Sequence, residues 1–133
     1  MNHEAHEGLS TDVERLSLQV VDAGLKVHKA LGPGLLESAY EHCLAYELQK
    51  RGLLVRRQVA LPVLYDGQQI DAGYRLDLIV GDAIVVEVKA VDALTRDHEA
   101  QVLTYLKLSG MRLGFLMNFN VALFKQGLRR LMR

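Results

Sequence analysis

Residues 83–90, AIVVEVKA, carry apolar side chains on both faces of an extended segment: Ile84, Val86 and Val88 on one, Val85 on the other. Side chains alternate along a strand, and a strand apolar on both faces is normally covered on both. The chain therefore has to build a sheet with helices over it and lay this segment inside. Glu87 and Lys89 fall on the face of Val85, so an acid and a base enter a position that is at least half buried. Burying an uncompensated ion costs several kcal/mol. The alternative for the pair is an ion pair on an exposed strand edge.

The surrounding pattern supplies the rest of such a fold. Thr11 and Glu14 have the spacing of a capping box, and Val13, Leu16, Val20, Val27 and Leu31 recur at helical spacing, which predicts a helix over 11–31. Gly32-Pro33-Gly34 ends it. A second helix is predicted over 35–51, with Gly52 as its C-terminal cap. Residues 53–65 read as a strand with Pro62 at an edge or bulge, Asp66-Gly67 as a hairpin turn, and 70–80 as the partner strand. Gly81-Asp82 turns into 83–90, completing a three-stranded meander. Residues 96–109 return to helical spacing and 112–119 read as a fourth strand. The tail, 121–133, is open between a turn plus strand and irregular chain. The expected fold class is α+β or mixed α/β, a helix-covered sheet in one domain over 11–133, behind a flexible polar leader at 1–10.

Composition narrows the function classes. A chain of 133 residues can bury a real core, and Cys43 is the single cysteine, which excludes a disulfide-stapled scaffold. Cys43 reads as a small buried residue on the second helix rather than a nucleophile. No apolar run approaches the ~18 residues of a membrane span, and the N-terminus lacks the order of a signal peptide, so a cytoplasmic location with no membrane partner is expected. Sixteen Lys+Arg balance sixteen Asp+Glu, whereas nucleic-acid binders usually show a basic excess. Any basic surface must be local. Arg51, Arg56 and Arg57, and the tail residues Lys125, Arg129, Arg130 and Arg133, are the candidate phosphate contacts. Solvated charged faces are the other reading. The histidines show no zinc spacing.

Besides Glu87 and Lys89, three places break the apolar–polar pattern. Asp77 alternates with Leu76 and Leu78 and lies on the opposite face from them, towards the same end of the hairpin ladder as Glu87, unless it is a solvated position. Glu37 lines a helix face with Tyr40 and Leu44, or simply meets the positive end of the helix dipole. His98, Gln101 and Tyr105 share one face of the third helix, or form an ordinary helix flank. Two carboxylates a few ångströms apart repel each other unless a divalent cation takes them as ligands. Mg²⁺ prefers such oxygen ligands and keeps several waters. A neighbouring lysine can orient a water or counter charge on a phosphate. That combination suits metal-assisted phosphodiester hydrolysis.

The spacing of Asp77, nine intervening residues and Glu87-Val88-Lys89 resembles the D…(D/E)xK signature of the PD-(D/E)XK nuclease superfamily. Gly34-Leu-Leu-Glu37-Ser-Ala-Tyr40 resembles the motif of its GxxExxY branch, and the likeness extends through HEAQVLTYL (98–106) and NFN (118–120). One departure is Leu76 in place of the proline of the signature. The resemblance implies a restriction-endonuclease-like core, a mixed four-stranded sheet flanked by helices in α-β-β-β-α-β order. It implies Mg²⁺ or Mn²⁺ held by Asp77, Glu87, the Val88 carbonyl and Glu37, with Lys89 serving the attacking water. Gln101 and Tyr105 would position the lysine or the substrate backbone, and His98 and Tyr40 would lie along the substrate. The expected function is a nuclease acting on nucleic acid, DNA foremost and RNA as the variant, in repair or defence. The competing class is a catalytically silent module of the same fold that binds nucleic acid or protein. A homodimer or larger complex is a further expectation from the small size.

Overall fold

The computed structural model describes residues 8–133. Helix α1 spans Thr11–Leu31 and α2 spans Glu37–Lys50, followed by β1 (Val55–Ala60), β2 (Val63–Tyr65), β3 (Gln68–Ile70), β4 (Arg75–Val80) and β5 (Ile84–Lys89). Helix α3 (Arg96–Ser109), β6 (Leu113–Asn118), a 3-10 turn (Phe124–Gln126) and β7 (Leu128–Met132) complete the chain.

The doubly apolar segment becomes β5, the middle strand of a mixed five-stranded sheet ordered β1-β4-β5-β6-β7. Its pairing with β4 is antiparallel and with β6 parallel, in a register that sets Lys89 beside Asn118. Helices α1 and α2 cover one face, packing Val20, Tyr40, Leu44 and Leu48 on Leu78, Ile84, Val86 and Val88. Helix α3 covers the other, packing Val102, Tyr105 and Leu106 on Ile79, Val85 and Leu116. Each such aliphatic side chain contributes about 1.5–3 kcal/mol by leaving water, so both cores depend on β5 staying central. This is an α+β fold compatible with the restriction-endonuclease-like expectation.

Several expectations change. The sheet has five strands rather than four, because the tail forms β7 antiparallel to β6. The expected strand over 53–65 divides. β1 ends at Ala60, Leu61 turns inward and donates its N–H to the Tyr74 carbonyl, and Pro62, which has no N–H for a ladder, opens a separate two-stranded β2–β3 hairpin. Ser10, not Thr11, caps α1 by accepting the Val13 N–H. Part of the expected leader is ordered: Leu9 packs on the core and the Gly8 carbonyl accepts from Arg112. Residues 1–7 lie outside the described residues. Cys43 is exposed on α2, not buried. No described helix is long and apolar enough to cross a membrane.

The loop between α1 and α2 is shaped by Tyr40. Gly32 and Gly34 adopt φ of 67° and 101°, a region that only glycine enters without steric cost. The Tyr40 hydroxyl donates to the Gly32 carbonyl at 2.5 Å and accepts the Leu35 N–H at 3.1 Å. The ring is fully buried and stacks on Phe119, centroids 4.7 Å apart. The expected place of Tyr40 along a substrate is therefore closed: its hydroxyl and ring belong to the loop and the core. Tyr40→Phe leaves two loop groups without a partner, a loss of about 1–3 kcal/mol. Urea unfolding should show a lower midpoint at unchanged slope, and an unchanged midpoint would mean the hydroxyl does not hold this loop.

Candidate active site

The ladder between β4 and β5 runs from Val80–Ile84 to Leu78–Val86 and stops. The next opposed residues are Asp77 and Glu87. Their side chains take over from the backbone: the Asp77 N–H donates to Glu87 Oε1 at 2.9 Å, and the Val88 N–H donates to Asp77 Oδ2 at 2.8 Å. The backbone donors are thus satisfied by carboxylates, and the two strands part where the acids stand. Strict alternation also ends here. Leu76 and Leu78, expected on one face, lie in opposite cores, because β4 distorts at Asp77.

Asp77 and Glu87 are 9% and 3% exposed. Burial pushes the Glu87 carboxyl up to about 8, and the Asp77 charge adds to it. Asp77 is raised as well, by burial first and then by the Glu41 and Glu37 charges. Tyr105, on the α3 side, is pushed up to about 12 by burial and by the charges of Glu87 and Asp77. Lys89 is half-buried on the same face of β5, its charge favours ionised Glu87, and it has no ion-pair partner among the described residues. Gln101, one turn before Tyr105, is half-buried with no hydrogen-bond partner among the described residues.

The sequence-predicted residues divide accordingly. Asp77 and Glu87 stand opposed, with Lys89 on the same face of β5 and Tyr105 near enough for their charges to act on it. Glu37 is exposed in the first turn of α2, near enough for its charge to act on Asp77. His98 serves the start of its helix, since its Nδ1 accepts the Thr95 N–H at 3.0 Å in the capping box of α3. Arg51 is committed to Glu47, Asp22 and Gln19 between α1 and α2, and is not a free phosphate contact.

Two residues escape the sequence reading. Glu41, one turn beyond Glu37, is 6% exposed and accepts from Arg57 at 3.1 Å and from Gln58 at 2.8 and 3.0 Å. The same Gln58 nitrogen lies 3.3 Å from Asp77 Oδ1. Glu41 is the helical acid actually turned towards the site. A signal exists, since Glu41 sits four residues from Glu37 and beside the buried Tyr40, but a helix read on spacing alone admits either acid. Nothing in the sequence marks Gln58.

Among the described residues no three His, Cys, Asp or Glu side chains converge into a ready metal cage. The donor set nevertheless suits a hard cation. Two buried carboxylates face each other, the Asp77 charge raising the proton affinity of Glu87, and a divalent ion that takes few protein oxygens and keeps its waters relieves that repulsion.

A model of the PD-(D/E)XK nuclease superfamily matches residues 14–131. The chain belongs to that superfamily. Its nucleases generally depend on a divalent metal and act on nucleic acid. No curated protein and no solved structure matches the chain.

The raised Glu87 sets a pH dependence. Its carboxyl holds its proton to about 8 in the folded chain against 4.5 for an ordinary glutamate, so between those values the folded state binds more protons than the unfolded. Stability then falls as pH rises through that window. Metal-free protein should melt at a lower temperature at pH ~8 than at pH ~5. Glu87→Gln should flatten this slope, and Mn²⁺ should restore the wild-type melting temperature at the higher pH. An equal slope in Glu87→Gln would assign the titration elsewhere.

Proposed function

We propose that this chain is a divalent-cation-dependent nuclease that hydrolyses phosphodiester bonds of DNA, and that it belongs to the GxxExxY branch of its superfamily. The observation that carries the reading is the opposed Asp77–Glu87 pair with the uncommitted Lys89 on the same strand face. Gly34, Glu37 and Tyr40 support the branch assignment, since glycine and tyrosine shape the loop from which the acids of α2 start. The single domain over 11–133 is part of the proposal.

Asp77 and Glu87 would hold Mg²⁺ or Mn²⁺, with the Val88 carbonyl as a third donor and Glu37 or Glu41 on the helix side. The ion, when bound, supplies positive charge to a phosphate oxygen and makes water a better acid. Lys89 does the rest of the electrostatic work. Its ammonium orients the attacking water and counters charge gathering on the phosphate. The water oxygen bonds to phosphorus and releases its proton to solvent, the bond to the leaving oxygen breaks, and that oxygen takes a proton from solvent. Tyr105, kept protonated far above neutral pH, offers a hydroxyl donor, and Gln101 one turn before it can hold the lysine or the strand backbone.

Purified protein should nick or degrade DNA with Mn²⁺ or Mg²⁺ and not with EDTA. Lys89→Ala should lower the rate about 10²-fold or more with an unchanged circular dichroism spectrum. RNA is the parallel substrate to assay. One observation favours a silent binding module: both acids already cap backbone N–H groups, so they have a structural use. If folded Asp77→Asn binds Mn²⁺ as well as the wild type, or if DNA and RNA both stay intact with Mn²⁺, that second reading replaces the first.

A further inference from the structure

We infer that Gln58 is a positioning residue, whose side-chain amide ties Glu41 of α2 to Asp77 of β4 and so makes the helical acid part of the Asp77–Glu87 constellation. The inference rests on the metal-dependent reading above and deepens it.

Gln58 stands on β1 where the register would set it opposite Asp77. The pairing runs Arg57–Leu78, then Val59–Leu76, and passes over it. Its φ is 49°, a left-handed conformation uncommon for a side chain without a local hydrogen-bonding reason. Such a conformation persists only when its surroundings impose it, and it clusters at functional sites. Here the surroundings can be named. The Gln58 carbonyl is held by Arg75 at 3.0 Å. The side-chain nitrogen reaches both oxygens of Glu41 and Asp77 Oδ1.

Two carboxylates from different elements, joined through one amide donor, are held at a fixed separation without a cation between them. Asp77 is then fixed from both sides, by Val88 N–H on Oδ2 and by Gln58 on Oδ1. Arg57 adds a second donor to Glu41, so the helical acid keeps a partner when Gln58 is removed. What Gln58 contributes is aim. Side chains that orient the groups around a metal, without touching it, typically alter affinity 10–100-fold.

The test separates aim from backbone conformation. Asn tolerates the left-handed region but is one methylene too short to span the two acids. Glu has the length and no donor. Mn²⁺ titrations of the wild type, Gln58→Asn and Gln58→Glu should show affinity weakened about 10-fold or more in both variants, with circular dichroism unchanged. The KM for metal should rise while kcat at saturating Mn²⁺ falls little. A double-mutant cycle of Gln58→Asn with Glu41→Gln, read by thermal unfolding, should be non-additive. An additive cycle, or wild-type Mn²⁺ affinity in folded Gln58→Asn, overturns the inference. So does tighter binding, which would make the amide a competitor of the ion. If the wild type binds no Mn²⁺, the metal-dependent reading fails with it, and the cycle then identifies the bridge as structural only.

Discussion

The structure turns on the exchange of backbone pairing for carboxylate pairing between β4 and β5. Two strands that are antiparallel partners over Leu78–Val80 separate at Asp77 and Glu87, and the donors this would orphan are taken by the two acids. An unsatisfied buried N–H costs about 1–3 kcal/mol, so the sheet could not open there with apolar residues in those places. The same side chains that keep the fold intact are the ones that gather negative charge in a buried site. Function and fold share atoms at this point, which is why Glu87 holds a proton so tightly and why the site is set into the middle of the sheet rather than on a loop.

The elements around the opening hold it at a fixed width. On one side, α2 is placed by Tyr40, which clamps the preceding loop and stacks on Phe119; the Phe119 N–H in turn donates to the Lys89 carbonyl at 2.9 Å. The segment after Lys89 is held by Asn118, whose side chain accepts the Val91 N–H and donates to the Val91 carbonyl. On the other side Tyr105 of α3 sits in the core, with the Tyr74 ring edge-on to it and centroids 6.2 Å apart. The NFN stretch and the tyrosine of the loop motif therefore act on the site through the backbone. Neither places a side chain on a ligand.

What was legible in the sequence followed from period. The doubly apolar run 83–90 implied a covered central strand, and the helical spacing of 11–31 and 96–109 set those helices to within a residue. Asp77, Glu87, Lys89 and Tyr105 were legible because each breaks its own local pattern. Other features lie in long-range pairing, which spacing does not encode. The tail joined the sheet because an edge of β6 was open to it, while Pro62 ended β1 by the lack of an N–H. Glu41 could not be separated from Glu37 until the rotation of α2 was known. The resemblance set His98 and Tyr40 along a substrate, yet each satisfies backbone groups, a use that residue type alone does not reveal.

Several of the cations are paired within the chain. Arg51 bonds Glu47 and Asp22, Arg57 bonds Glu41, Arg56 bonds Asp82 and Arg130 bonds Glu14. The exposed pairs, Arg56–Asp82 and Arg130–Glu14, contribute at most about 1 kcal/mol each, so they matter less for stability than for the field they leave behind. Cations paired at home add little long-range attraction for a polyanion. The lysine of the site has no such partner among the described residues, and any negative charge carried by the acids beside it repels a phosphate. If the chain acts as the proposed nuclease, a cation between Asp77 and Glu87 would ease the approach of a polyanionic strand to Lys89. Cation binding and strand binding would then be coupled, and linkage requires that each tighten the other by the same factor.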